Sequence, residues 1–512
     1  MVIKKFITPQ TLIIFFFTLV SRIIFAERFF FDSDTVSFAL GSISYSLQDT
    51  RPHLPGYYLH VKLIGLLNSI IHDVHLTMIL LSIAYSLTGA LLAYKLLKKI
   101  LSEEKAFLAT ILIITNPLVW YYNCTTDIYS FDLFFGALTV LTGLNKRTIY
   151  LLPVIFAIGT GIRPSTGILL FPLYIYFWYN LIKQREFNKF MILFYHLIGL
   201  IIFYTWFSPL INSAGGFKGY ISLYKVNSPL PNISILQNLF QETSYLFYVL
   251  IAPVIILFIA FIREKLLKIP KTYYEKKNLY LILIWFLPAF FVFLFFHYSK
   301  GYFLICIIPL YAILFLLIRS DGLINKVSWI LIVIQIIFYT LMPYKDSSIE
   351  SIEAPQYRHQ KIFSTWIDRT FSSYLMAASK IRNQDNSICG LNDLIMQYAQ
   401  DTTKFIFFDP TVYLYARGMQ MQNPKRIYIT ADLFNDNSYY EYKGINICAR
   451  QGLTGVIKNS YFVTRKDYYK SYPGNLIPVI DKNSGFVIFR TDSLNSQIIL
   501  NAYRKLFYRT NH

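Results

Sequence analysis

The sequence predicts a polytopic α-helical membrane protein that carries a C-terminal exported α/β domain. Three observations lead there. Hydrophobic residues make up 55% of the chain and charged residues only 15%, against about 25% charged in an ordinary soluble domain. Long apolar runs alternate with short basic punctuation as far as Tyr344. Soluble composition then takes over for roughly 165 residues, a normal size for one domain. The chain therefore divides into a membrane domain, 1–344, and an extracytoplasmic domain, 345–512.

A helix needs about 20 apolar residues to cross the hydrocarbon core. About eleven segments suit that role, near 8–26, 74–97, 106–122, 128–144, 148–162, 165–182, 189–208, 243–262, 279–297, 301–318 and 327–343. The first has the make-up of a signal peptide, but the many spans behind it make it an anchor. Cytoplasmic loops are enriched in Lys and Arg. One alternating set of connections is basic throughout, with Lys4 and Lys5, Lys98, Lys99 and Lys105, Lys146 and Arg147, Lys183, Arg185 and Lys189, the run 263–277, and Arg319 and Lys326. The N-terminus is thus expected in the cytoplasm. The segments 27–73, 123–127, Arg163, 209–242, 297–300 and everything after Tyr344 are expected outside the plasma (inner) membrane. The joint at Gly161-Ile162-Arg163-Pro164 carries this assignment. A single broken helix there would turn the basic run 263–277 outward, so two crossings are the better reading.

A net charge of +20 does not point to nucleic acid here. The cations sit at the ends of apolar segments, and no basic stripe with interleaved aromatics lies outside the membrane part. The lipid bilayer is the partner they serve. Four cysteines are too few for a disulfide scaffold. Cys389 and Cys448 could pair in an exported domain, although two separate buried thiols is the plainer reading. No His/Cys/Glu cluster has ligand spacing; a divalent metal stays open, without a motif to argue it.

The first outer loop, 27–73, is too long for a turn. Val36, Leu40, Ile43 and Leu47 recur at three- and four-residue spacing and predict an amphipathic helix from Asp34 to Gln48. Ser33 or Asp34 is placed to cap it. Pro52, Pro55 and Gly56 break the pattern, and a second amphipathic stretch runs from Tyr57 to Leu67. Both helices are expected to lie in the interface plane. Asp32-Ser33-Asp34 stands where the first crossing leaves the bilayer. A carboxylate there can act as a general base on a hydroxyl or help hold a metal. A helix cap with a solvated charge explains the same residues equally well.

The whole segment carries more than the acidic pair. Asp32-Ser33-Asp34-Thr35-Val36-Ser37-Phe38-Ala39-Leu40-Gly41, followed by Arg51-Pro52-His53-Leu54-Pro55-Gly56-Tyr57-Tyr58, resembles the first loop of the GT-C glycosyltransferases. These polytopic enzymes use lipid-phosphate-linked sugars and include the protein O-mannosyltransferases and the aminoarabinose transferase of lipid A. His53 to Tyr58 resembles their H-P-P-x-Y-Y-like element, with Leu54 where the first proline stands. Thr115-Asn116-Pro117-Leu118-Val119-Trp120 with Asp127 resembles the third crossing and its loop. Gly161-Ile162-Arg163-Pro164-Ser165 resembles a G-x-R-P-S element, and His297 to Tyr302 followed by Pro309 resembles a late outer-face segment. The resemblance covers about 1–345 and does not reach the C-terminal domain.

The resemblance implies a polyprenyl-phosphate-linked sugar as donor, a hydroxyl on a protein, lipid or glycan as acceptor, and one direct displacement that inverts the anomeric centre. Asp32 or Asp34 would be the base, Asp32 being nearer the helix exit. Arg163, Lys300 and His297 fall at expected outer helix ends and, with Arg51, are candidates for the donor phosphate. Snorkelling to lipid headgroups is the competing account for them. His53, Tyr57, Tyr58 and Asp127 are candidates to contact the acceptor or shape the loop, Asp127 reading most simply as a helix cap. The alternative function is a transporter or flippase of lipid-linked saccharides, but no internal repeat supports it.

In the C-terminal domain, strands are expected at Phe405–Phe408, Arg426–Thr430, Thr454–Ile457, Tyr461–Thr464 and Gly485–Arg490, and helices at 361–383 and 411–420. That alternation predicts a small α/β domain.

Overall fold

The computed structural model describes residues 8–30, 32–184, 187–227, 235–263, 266–268, 272–295, 301–319, 322–345, 366–367, 370–372 and 374–398, and short strand segments between 406 and 490. Two compact units emerge. The first holds Met1–Glu27 and Ser37–Ile381, the second Arg28–Val36 and Arg382–His512.

In the first unit each segment expected to cross the membrane is helical. In chain order the helices, crossings and loop helices together, are α1 (Pro9–Phe25), α2 (Ser33–Ile43, opening in the second unit), α3 (Tyr58–Ile71), α4 (Val74–Ile100), α5 (Glu103–Thr115), α6 (Pro117–Tyr122), α7 (Ser130–Gly143), α8 (Leu152–Ile162), α9 (Pro164–Lys183) and α10 (Lys189–Ser213). There follow α11 (Gly216–Asn227), α12 (Ile235–Ile262), α13 (Tyr273–Phe295), α14 (Leu304–Leu317) and α15 (Gly322–Leu341). Among the described residues six helices are long and apolar enough to span a bilayer: α4, α9, α10, α13, α15 and the 243–262 part of α12. The apolar helices α1, α7, α8 and α14 are shorter.

Prolines and caps set the boundaries. The expected crossing 106–122 is two helices, because Pro117 lacks an N–H and keeps the residue before it out of helical conformation. Asn116 accordingly sits at φ −56, ψ 127, and its Oδ1 accepts from the Leu118 N–H at 3.1 Å as the cap of α6. Thr8 and Asp73 cap α1 and α4 in the same way. Arg163 is extended at φ −142, ψ 97, and Pro164 opens α9, so α8 and α9 are distinct helices.

Small residues let these helices close on one another. A Cβ on Gly89 of α4 would stand 2.9 Å from the Phe134 backbone nitrogen of α7. Gly89→Leu is therefore expected to cost about 1–3 kcal/mol through overpacking. A detergent unfolding midpoint equal to wild type would show that α4 and α7 do not approach as described.

The first unit runs past the compositional boundary at 344 to Ile381, and described residues from 366 on pack against its helices. The Tyr248 hydroxyl donates to the Thr370 carbonyl, Trp366 Nε1 donates to Thr243 Oγ1 at 2.8 Å, and Ser379 Oγ donates to the Met342 carbonyl at 2.5 Å.

In the second unit a five-stranded sheet has the order β2-β1-β5-β7-β6, built from β1 (Ile406–Phe408), β2 (Tyr428–Thr430), β5 (Tyr461–Arg465), β6 (Val479–Ile480) and β7 (Phe486–Arg490). β1 runs parallel to β2 and β5, and β7 antiparallel to β5 and β6. Phe462, Val463, Phe486, Val487 and Ile488 are buried in it. β3 (Tyr440–Tyr442) and β4 (Ile445–Ile447) pair as a separate antiparallel ribbon. Four expected strands are present; Thr454–Ile457 and the helix 411–420 lie outside the described residues. The single helix expected at 361–383 is not continuous, since 374–377 are not helical; a separate helix, α16 (Ala378–Tyr398), begins after them. Ile388, Leu391, Leu394 and Ile395 are buried at helical spacing along it.

Candidate active site

The first loop folds back on itself. α2 ends at Ile43, earlier than its apolar pattern suggests, and the chain then turns so that Ser46 and Arg51 exchange backbone hydrogen bonds at 2.8 Å. The returning strand crosses so close to Gly41 that a Cβ there would lie 3.0 Å from the Arg51 carbonyl carbon. Gly56 sits at φ +112, a conformation that favours glycine. Tyr45 and Tyr220 donate to the Gly56 and Pro55 carbonyls at 2.8 and 3.3 Å. Leu54, Tyr58 and Leu59 pack on the buried cluster of Leu47, Trp206, Leu210 and Ala214, so α10 and α11 seat the loop.

Within the loop, His53 Nδ1 lies 2.8 Å from Ser37 Oγ. The Phe38 ring stands 5.0, 4.9 and 5.2 Å from the rings of His53, Tyr57 and His60. Tyr57 is buried in this aromatic group, whereas Tyr58 is half-buried beside Tyr45, with Lys62 5.5 Å from its ring. The Arg51 side chain is half-buried.

Arg163 does not snorkel. It is 1% exposed, and its Nη1 is ion-paired with Asp132, a carboxylate in the first turn of α7 that also accepts from Thr166 Oγ1. Its guanidinium lies 4.6 Å from the Tyr129 ring and 4.7 Å from the Tyr302 ring, cation–π geometry that suits a desolvated arginine. Nε and Nη2 find no acceptor among the described atoms. α3 reaches this place because Gly161, two residues before Arg163, lacks a side chain: a Cβ there would meet Leu59 at 2.6 Å. On α3, burial and then the Arg163 charge push His60 down to about 3, so its imidazole is neutral. Both of its ring nitrogens are buried without a hydrogen-bond partner among the described residues.

The loop before α7 is buried as well. Glu27 accepts from the Thr126 N–H at 2.8 Å and from Thr126 Oγ1, and His75 Nε2 lies 3.7 Å from it. Asp127 accepts from Thr125 Oγ1 at 3.3 Å. α7 begins three residues later, with Tyr129 in the N-cap position.

Asp32 and Asp34 belong to the second unit. The sequence offers Ser33 or Asp34 as the cap of α2, but Asp32 Oδ1 accepts the Asp34 N–H at 2.8 Å and Asp32 takes that role. Thr35 Oγ1 and the Val36 N–H donate to the Asp32 carbonyl at 2.9 and 3.2 Å. The segment entering α2 is anchored in turn by Asp385 of α16, whose Oδ1 accepts the Arg28 and Phe29 N–H groups at 2.9 and 3.2 Å.

Lys300 and His297 lie outside the described residues. Among the described residues no three His, Cys, Asp or Glu side chains gather to hold a metal. Sequence reasoning missed Asp132, Glu27 and His60. Asp132 had a signal: it is a carboxylate inside an expected crossing, and such residues are functional candidates by default.

Residues 58–208 match the family model of the dolichyl-phosphate-mannose-protein mannosyltransferases. In fold the chain is similar to the crystal structure of ArnT from Cupriavidus metallidurans in the apo state, with a TM-score of 0.51 and 11% identity over 94% of this chain and 97% of that one. It is equally similar to ArnT from the same organism bound to undecaprenyl phosphate, with a TM-score of 0.52, 12% identity and the same coverage. No curated protein matches it in sequence. The fold is thus a multi-pass arrangement of membrane helices like that of ArnT, and one stretch within it resembles the mannosyltransferase model. The matched stretch runs from α3 into α10 and has Arg163 inside it.

Proposed function

We propose that the protein moves a sugar from a polyprenyl-phosphate donor to a hydroxyl acceptor on a protein, lipid or glycan at the outer face of the plasma membrane. The observation that carries this is Arg163, buried inside the matched stretch with two N–H-bearing nitrogens lacking an acceptor among the described residues. A phosphate suits them, since Arg presents paired donors to phosphate oxygens. The ArnT structure with undecaprenyl phosphate makes polyprenyl phosphate the lipid to try first. The charge bias of the loops supports a cytoplasmic N-terminus, with the site and the C-terminal domain outside.

In this reading Asp32, or Asp34 beside it, takes the proton of the incoming hydroxyl. The sugar's bond to the donor phosphate breaks through an oxocarbenium-like transition state, and direct attack inverts the anomeric centre. Charge gathers on the departing phosphate, where Arg163 stabilises it; Arg51, Lys300 and His297 are the further cations proposed for that role. His53, Tyr57, Tyr58 and Asp127 contact the acceptor or shape the loop around it.

The test is release of polyprenyl phosphate from a panel of polyprenyl-phosphate sugars by the purified full chain in detergent, with hydroxyl acceptors present. One donor is expected to turn over. Well-folded protein that cleaves none of them, yet moves a lipid-linked saccharide across a liposome membrane, would replace the enzyme reading with the flippase reading.

A further inference from the structure

The last turns of α9 line a small cavity of about 120 Å³, closed on its other sides by the chain leaving α7 and by the start of α13. Its α9 residues, Tyr176 to Gln184, stand 13 to 21 positions after Arg163. At 1.5 Å per helical residue that places the cavity roughly 20–30 Å from Arg163, one membrane span away. The connections at this end are the basic ones around Lys146, Lys183 and Lys276, the side expected to face the cytoplasm.

The polar lining is Lys146, Lys277, Tyr176, Asn180, Gln184 and Asn278, with no Asp or Glu among the described residues that line it. Asn278 is the informative one. It is 7% exposed, and its Nδ2, which carries two N–H donors, has no acceptor among the described residues. Buried donors are normally paired, so an acceptor is expected in the space this amide lines. Asn180 differs, since its Nδ2 donates to the Tyr176 carbonyl at 2.8 Å. Glu275, two residues before Lys277, is paired with Lys268 and accepts the Thr272 N–H at 3.2 Å.

α7 and α9 both end at this cavity, and the carbonyl end of a helix opposes an anion with about half an elementary charge. Several of these carbonyls have donors of their own. The Thr142 carbonyl accepts from Thr148 Oγ1 at 3.0 Å and the Asn145 N–H at 3.4 Å, and the Asn180 carbonyl accepts from the Gln184 N–H at 3.2 Å. Lys146 and Lys277 each bring a whole positive charge, so the balance favours an anion. Lysine binds phosphate as a point charge, and the space holds a group about that size. Tyr179, Tyr273 and Tyr280, on the neighbouring turns of α9 and α13, are exposed like the aromatic belt at the headgroup level of a bilayer. Basic pockets between membrane helices bind anionic headgroups there. We propose that Lys146, Lys277 and Asn278 form a site for an anionic phosphate group, carried by a phospholipid headgroup or free in solution. Bound there, the phosphate ties the end of α7 to α9 and α13.

The unfolding midpoint of the full chain in detergent reads occupancy, because a ligand that binds only the folded state raises it. The probes are dioctanoyl phosphatidylglycerol, dioctanoyl phosphatidylcholine and inorganic phosphate. Phosphatidylglycerol should raise the midpoint saturably and shield Lys146 and Lys277 from acetylation by an amine-reactive ester, read by peptide mass spectrometry. A rise with phosphatidylglycerol alone assigns the site to a lipid headgroup; an equal rise with inorganic phosphate assigns it to the free anion. Lys146→Gln combined with Lys277→Gln should weaken binding about thirtyfold. Asn278→Leu, close in size but without the donor, should weaken it about tenfold. The proposal is overturned by no shift with either anion, by an equal shift with phosphatidylcholine, or by full affinity in the folded lysine variant. If that variant does not fold, wild-type lysines acetylated equally with and without either anion overturn it.

Discussion

Asp32→Asn is expected to lower turnover by about 10²–10⁴-fold, the usual worth of a positioned general base, while leaving the protein folded. The substitution isolates one property of the residue. Asp32 caps α2 through its Oδ1 and the Asp34 N–H, and Asn caps a helix as well as Asp does. The cap therefore survives and only the ionisable carboxylate is lost. The unfolding midpoint should stay close to wild type, since cap exchange between these residues costs only tenths of a kcal/mol. Asp34→Asn serves as the comparison, because Asp34 contributes its N–H to the cap and its side chain stands in the first helical turn. A large rate loss in Asp34→Asn and a small one in Asp32→Asn would move the base to Asp34. Turnover within a few-fold of wild type in both would remove this loop from the chemistry.

Arg163→Met is expected to destabilise the protein by about 3–5 kcal/mol, because it strands a buried carboxylate. Asp132 is 1% exposed, and its other partner among the described residues is the Thr166 hydroxyl. Asp132→Leu should do comparable harm by stranding the guanidinium. The double variant removes both charges and should recover most of the lost stability, since a buried ion pair replaced by well-packed apolar residues is often neutral. Recovery of folding should not bring back donor binding. Arg163→Lys separates the two roles further. It keeps a charge for Asp132 but loses the planar fork that holds Nε and Nη2 toward a phosphate, so it should fold and bind polyprenyl phosphate weakly. Detergent unfolding midpoints and lipid titrations on the four variants check this; a double variant no more stable than either single one would deny the pairing.

The two units differ in how much of them could be read in advance. The membrane helices were legible because length, hydropathy and proline placement are local properties. Pro117 and Pro164 mark breaks wherever their helices end up. The first loop was legible as two amphipathic helices, but the end of α2 was not. Its apolar pattern continues to Leu47, and only the packing of that residue against Trp206 and Leu210 shows that it serves another surface. The boundary at 344 follows composition, whereas the chain up to Ile381 packs by contacts that composition does not record.

The site divides in the same way. The amino-acid sequence by itself determined a polytopic membrane protein, an acidic and aromatic first loop, and the GT-C resemblance of that loop, because each lies in a continuous stretch of residues. Tertiary structure alone decided which charges have partners. Arg163 and Asp132 are 31 residues apart and meet because α7 packs beside the break between α8 and α9. Asp127, five residues from Asp132, contacts Thr125 instead. Local pattern marks a residue as charged, but the helices around it determine whether water, a carboxylate or a substrate phosphate balances that charge.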